Sequence, residues 1–294
     1  MSLRDAIARA VSEATGTPFK PDGRTTVGGG CINSTEILRG GEQRFFVKLN
    51  DSARLAMFEA EAEGLHEIAA SNSVRVPHPI CSGTHGGQSY LVLEYLDFGC
   101  VSAKSDALLG RQLAAMHRVT HALFGWRRDN TIGSTPQINN EETDWVDFYR
   151  EHRLRFQLEL AAKNGYGGNL LRRGERLLEE LPAFFASYSP QPSLLHGDLW
   201  GGNHAALRDG SPVIFDPAVY YGDREADLAM TQLFGGFSAD FYAAYRESWP
   251  LDSGYRMRAD LYNLYHVLNH LNLFGGGYRG QAEQTIERLF REIG

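Results

Sequence analysis

The sequence predicts an α+β fold with two unequal lobes: a small β-sheet lobe with one main helix, then a larger, mostly helical lobe. Three observations carry this reading. Short β-patterned runs dominate up to about residue 97. Helical periodicity dominates after residue 103. The segment "EYLDFG" joins the two regimes as a hinge at residues 94–97. The lobes are therefore set at 1–96 and 97–294, and the space between them is a natural ligand cleft.

The elements follow in order. The opening "MSLRDAIARAVSEATG" is charged and helix-patterned, and it lacks the unbroken apolar core and cleavage site of a signal peptide. "STEILRG" and "GEQRFFVKLN" read as paired strands, with Gly40 and Gly41 at the hairpin turn. A helix covers about residues 53–70, and "SYLVLEYL" is a buried strand. Helices are then expected at about 103–121, 143–162, 169–186, 224–234, 238–248, 254–273 and 281–292. Two β-like runs, "SLLHGD" and "PVIFDP", interrupt them.

Composition narrows the partners. The chain has 294 residues, 43% hydrophobic and 22% charged, as an ordinary globular protein has. A net charge of −7 argues against a broad nucleic-acid footprint or a polybasic membrane surface, while leaving room for a local cationic pocket. No apolar run reaches the ~18 residues that span a bilayer. Cys31, Cys81 and Cys100 show no CxxC spacing and are odd in number, so a disulfide framework and structural zinc are not expected, and a reducing cytoplasm is. The chain has only four lysines against 25 arginines, so a lysine in a demanding position suggests a lysine-specific task.

The segment Leu195–Asn203, "LHGDLWGGN", carries the chemistry. Asp198 and Asn203 give the spacing D-x4-N, and Asp216 follows at the end of the apolar strand "PVIF". A loop carboxylate, a carboxamide five residues on and a strand-end carboxylate match the kinase catalytic pattern. Asp198 would accept or orient the proton of an attacking hydroxyl. Asn203 and Asp216 are hard oxygen ligands suited to Mg²⁺. Either motif alone is weak; their order makes them specific.

The first lobe supplies a matching set. Gly28, Gly29 and Gly30 in "TVGGGCIN" could bring backbone N–H groups to phosphate oxygens, although a flexible surface loop is the commoner reason for such a run. Alternation puts Phe46 and Lys48 on one face of their strand and Phe45 and Val47 on the other. Lys48, among apolar neighbours, needs an anionic partner or an edge to water. Glu61 shares its helix stripe with Phe58, Leu65 and Ile68, whereas Glu59 and Glu63 fall on the polar side, so Glu61 is paired with Lys48. Glu94, Tyr95 and Leu96 would offer backbone groups to adenine, an assignment resting on position.

The ordered set Gly-loop, Lys48, Glu61, hinge, Asp198, Asn203, Asp216 resembles the bilobal protein-kinase-like fold. H-G-D in place of H-R-D, and D-P-A in place of D-F-G, is similar to the small-molecule kinases of the aminoglycoside and choline kinase group. A closer resemblance is to the fructosamine kinase (ketosamine-3-kinase) family. It is carried by "GGGCIN", "FVKLN", "MFEAEAEGL", "LVLEYLD", Gly133–Asn139, "DWVDFY", "LLHGDLWGGN", "PVIFDPAVYYGDREADLAM" and "LYHVLNHLNLFGGGY", across about residues 25–279. That resemblance implies transfer of the γ-phosphate of ATP, with Mg²⁺, to the sugar 3-hydroxyl of a ketoamine. The labile 3-phosphate then breaks down and frees the amine. The implied partners are small-molecule ketoamines or glycated amines and proteins, for a cytoplasmic enzyme that is a monomer or weak homodimer. A related kinase for another hydroxylated amine, and a nucleotide-binding pseudokinase, remain the alternatives.

Further residues lie in these segments. Trp200, two residues after Asp198, could pack on the sugar or in the core. Tyr221, His266 and His270 are substrate candidates; the two histidines are i,i+4 and share a helix face. His196 is expected to hydrogen-bond its loop, His117 to be a satisfied core histidine, and Asp227 to tie down the segment after the metal site. Cys31 follows the glycine run, where a thiol could have a lowered pKa, against the plainer reading of a small packing residue.

Overall fold

In this computed structural model, which describes residues 2–28 and 32–294, the chain begins with α1 (Leu3–Thr15). Ser2 and Asp5 form a capping box at its start, and Gly16 closes it in the left-handed region at φ 67°. A five-stranded antiparallel sheet follows, formed by β1 (Gly23–Val27), β2 (Ser34–Gly40), β3 (Gln43–Asp51), β4 (Pro79–His85) and β5 (Gln88–Glu94) in the order β1-β2-β3-β5-β4. Gly40 pairs with Gln43 across the β2–β3 turn, where Gly41 sits at φ 60°, as the glycine pair suggests. Helix α2 (Leu55–Ala70) connects β3 to β4 and carries Phe58, Leu65 and Ile68 fully buried.

The two faces of β3 do different work. Phe45 and Val47 pack with Ile7, Val11, Phe19 and Val92 in a core between the sheet and α1. Phe46 and Lys48 line the cleft on the other side. Helix α1 is thus a second helix in the sheet part, beside the expected α2.

The rest is mostly helical: α3 (Ala103–His117), α4 (Trp145–Tyr149), α5 (Phe156–Lys163), α6 (Asn169–Glu180), α7 (Glu225–Leu233), α8 (Ala239–Ser248), α9 (Tyr255–Phe274) and α10 (Arg279–Ile293). Small antiparallel pairs are set among them: β6 (Asn130–Ile132) with β7 (Thr135–Gln137), β8 (Ser193–Leu195) with β11 (Tyr220–Gly222), and β9 (His204–Ala206) with β10 (Pro212–Ile214). Most of α9 is buried, and its Leu261, Leu264, Leu268 and Leu271 belong to the main core. Among the described residues no helix is long and apolar enough to cross a membrane.

Two expected helices are broken. The run read as 143–162 contains a π-helical turn, Arg150–Arg155, between α4 and α5. The turn accompanies a wholly buried Arg153, which donates to Ile138 O at 2.5 Å and Asn139 Oδ1 at 2.7 Å and lies over the Tyr220 ring at 4.2 Å. The run read as 169–186 ends as a 3-10 turn from Leu181, next to Pro182, whose ring cannot continue the ladder.

Candidate active site

Five of the predicted side chains converge on one cavity of about 1130 Å³ between the sheet and the helical part: Lys48, Glu61, Asp198, Asn203 and Asp216. Lys48, 3% exposed, donates to Glu61 Oε1 at 2.7 Å and to Asp216 Oδ1 at 2.5 Å. Burial opposes its charge, but Asp216 and Glu61 outweigh burial and hold the ammonium well above the usual lysine value. Burial pushes the Glu61 carboxyl up to about 7, with Lys48 pulling it back.

Asp216 adopts φ 58°, a conformation uncommon for a non-glycine residue and typical of functional sites. The following peptide is fixed, because Ala218 N–H donates to His196 O at 2.8 Å. The Gly197 Cα closely approaches the same segment: a Cβ there would lie 2.1 Å from Ala218 O, and φ is +81°. Only glycine fits this crossing of the Asp198 loop and the strand exit.

Burial pushes the Asp198 carboxyl up to about 7, with Asp216 and Asp227 adding to the shift. Asn203 Nδ2 donates to Asp198 O at 2.8 Å and lies 3.4 Å from Asp198 Oδ2. The amide nitrogen is thereby turned into the loop, which leaves the carbonyl oxygen as the group to face a cation. The Asp216 carboxylate and that oxygen, both lining the cavity, are hard oxygen donors of the kind that suits Mg²⁺.

The loop is held from beneath. Asp227 accepts the N–H of His196 at 2.7 Å and of Gly197 at 2.8 Å, and the His117 ring at 3.1 Å. His117 also meets Tyr245 Oη at 2.8 Å, so it is the satisfied core histidine the sequence suggests. His196 Nε2–H donates to Phe215 O at 2.9 Å, and burial keeps the ring neutral.

The remaining predicted residues divide. Gly28, Glu94, Tyr95, Leu96, Trp200, His266 and His270 line the cleft. Gly29, Gly30 and Cys31 lie outside the described residues. Glu94 also has a task beyond its backbone: its carboxylate takes Arg75 at 2.5 Å and the His78 N–H at 3.1 Å. Trp200 is 40% exposed and makes a T-shaped contact with Phe234, so it stands at the cleft wall and not in the core. His270 Nδ1–H donates to His266 O at 2.8 Å, and burial pushes His266 down to about 3. Tyr221 does not line the cleft. It is buried in β11 and its hydroxyl donates to Glu67 on α2 at 2.7 Å.

Sequence reasoning missed other lining residues, among them Phe98, Phe215, Phe234, Phe274 and Tyr278. Phe98, after β5, and Phe274, the last residue of α9, are 49% and 53% exposed, and aromatics this exposed fall outside the apolar periodicity that marks a core.

Comparison with known proteins places the chain. The family model for fructosamine kinase matches residues 3–292. A Synechocystis protein named a probable ketoamine kinase is 50% identical over 97% of this chain and 96% of its own length. A chloroplastic protein-ribulosamine 3-kinase of rice (Oryza sativa subsp. indica) is 44% identical over 95% of this chain and 82% of its own. A crystal structure from Haemophilus somnus, provisionally named a fructosamine-3-kinase, superposes with a TM-score of 0.89 at 29% identity over 96% of both chains. A ternary complex of aminoglycoside phosphotransferase APH(4)-Ia with AMP-PNP and hygromycin B shares the fold, with a TM-score of 0.63 at 13% identity over 97% of this chain and 98% of its own. The chain belongs to the fructosamine kinase family and, by that membership, is a ketosamine kinase, a phosphotransferase with the kinase-like fold.

Proposed function

We propose that the enzyme moves the γ-phosphoryl group of ATP to the sugar 3-hydroxyl of a ketoamine, and that Asp198, Lys48, Glu61, Asn203 and Asp216 perform the transfer. The observation that carries the assignment is Lys48 Nζ within 2.7 Å of Glu61 and 2.5 Å of Asp216 in the same cavity as Asp198. Asp198 accepts the proton of the attacking hydroxyl, or orients it. Lys48, fixed by Glu61, sets its ammonium against the phosphates, and Gly28 brings backbone to them. The segment Glu94–Leu96 receives the adenine. Asn203 Oδ1 and the Asp216 carboxylate would hold Mg²⁺, which supplies charge neutralisation at the phosphate oxygens. Trp200, His266 and His270 stand where the acceptor lies.

Protein-ribulosamine 3-kinase, the name of the rice relative, supports a five-carbon ketoamine as acceptor here. The composition supports a cytoplasmic enzyme working on small ketoamines or glycated amines and proteins. A coupled ADP-release assay tests the reading with ribulose-, erythrulose- and fructose-lysine, and with choline and kanamycin as controls. Turnover of the ketoamines well above the controls is expected. Turnover of choline or kanamycin with none of the ketoamines would overturn it.

A further inference from the structure

Helix α2 is gripped on two faces. On the cleft side Glu61 holds Lys48. About 200° round the helix from Glu61 lies the stripe Glu59, Glu63, Glu67, spaced four apart. Arg127 donates to Glu63 Oε2 at 2.8 Å and to Glu67 Oε2 at 3.1 Å. Arg128 donates to Glu63 Oε1 at 2.6 Å, stands 3.9 Å from Glu59, and reaches Ala56 O at 3.3 Å near the helix start. Glu67 takes the Tyr221 hydroxyl as well.

The loop carrying the two arginines is bonded to the segment that follows Asp216. Asn130 Nδ2 donates to Val219 O at 2.8 Å, and Gln137 Nε2 donates to Ala218 O at 3.0 Å and to Asn130 Oδ1 at 2.8 Å. Gly64, one turn beyond Glu61, rests on the same segment, with room for a Cβ only 3.0 Å from Val219 Cγ2. The arginines, the tyrosine and the Asp216 strand exit therefore form one surface on which α2 sits.

We propose that Arg127 and Arg128, with Tyr221, form an electrostatic latch that sets α2 on the helical part. They act as positioning residues that fix the Lys48–Glu61 pair relative to Asp216. The proposal rests on the reading that Lys48 and Glu61 serve phosphate transfer. A single exposed ion pair is worth little. Here two arginines share three glutamates on one stripe, and the quantity they control is where a helix sits. A small misplacement of a catalytic group lowers turnover far more than it lowers stability.

The test compares the full-length wild type with Arg127→Ala/Arg128→Ala and Arg127→Lys/Arg128→Lys. Hydrogen exchange of α2 amides, Tm, kcat and the KM for ATP and ketoamine are measured. In the alanine pair, α2 amides should exchange about tenfold faster or more and kcat should fall roughly tenfold or more, with the ketoamine KM little changed. The lysine pair should recover much of the loss. Raising salt should move the wild type in the same direction, because the pairs are exposed enough to be screened. Unchanged α2 exchange, or faster exchange with wild-type kcat, would overturn the latch. If the double alanine variant does not fold, the single variants, each leaving one arginine on Glu63, carry the same comparison. Full activity in Glu61→Gln would overturn the underlying reading of Glu61, whereas full activity confined to the arginine variants overturns the latch alone.

Discussion

Asp227 Oδ2 takes the backbone N–H of His196 at 2.7 Å, and through that bond a buried carboxylate on α7 sets the height of the loop that carries Asp198. Burial works against its charge, but the His117 hydrogen bond and the Gly197 N–H hold the carboxyl below the usual aspartate value. Asp227→Ala leaves two buried N–H groups and His117 without their acceptor. The expected loss of stability is about 3–5 kcal/mol by urea unfolding. Turnover should fall with it, and Asp227→Asn should keep more of both. A variant as stable and active as the wild type would refute this role.

Asp198 is the group whose removal should cost most in rate and least in nucleotide binding. Asp198→Ala should lower kcat by roughly 10²–10⁴-fold, while ADP affinity by calorimetry changes only a few-fold. Because burial and the neighbouring carboxylates lift its carboxyl to about 7, it must lose a proton to serve as base. Activity should therefore climb as pH rises from 6 to 8, and Asp198→Asn should erase that limb. A profile flat across this range in the wild type argues against Asp198 as base.

The same shift has a consequence for stability. The folded carboxyl binds its proton up to about 7, the unfolded one only up to ~3.9. The folded state thus holds the extra proton between those values, and this group's contribution to stability falls as pH rises through the window. A divalent cation held by Asp216 and Asn203 would offset the part of the shift that the Asp216 charge adds to burial. The Mg²⁺-dependent part of the Tm rise with ADP should accordingly be larger at pH 8 than at pH 5.5. Thermal melts with equal Mg²⁺ increments at both pH values would contradict it.

Lys48→Met strands the Glu61 carboxyl, whose side chain is only 11% exposed. The expected destabilisation is about 3–5 kcal/mol, with kcat lost. Lys48→Met/Glu61→Gln should regain part of the stability and none of the activity, because the neutral amide needs no cation. Urea melts showing the double variant no better than the single one would count against the pair as the source of the cost.

The sequence reading succeeded where a period existed. Lys48 and Glu61 were found because strand alternation and a helix stripe each put one charge on an apolar face, and both are indeed turned inward. The seven helices of the second half follow their periodicity to within a few residues, apart from the two breaks described. The three-residue strands β6, β7, β9 and β11 passed unnoticed because a period of two cannot show in so short a run. The π-turn was hidden because its cause is tertiary: Arg153 finds acceptors in the loop around residues 138–139. Tyr221, a substrate candidate by its segment, faces Glu67 instead, and no local pattern tells which neighbour a buried hydroxyl will meet. Arg127 and Arg128 look like ordinary surface arginines until α2 is folded against them.

The groups assigned to transfer in the helical part all belong to one loop and strand exit, Asp198 to Asp216, whereas the wall proposed to receive the acceptor comes from elsewhere: His266, His270 and Leu273 on a single face of α9, and Phe234 just past α7. Heredity can therefore edit the two separately. On the proposed reading of that wall, a handful of substitutions along that one helix after a gene duplication would retune which glycated amine is accepted while the inherited chemistry stays whole. New specificities in this lineage should be sought first along α9.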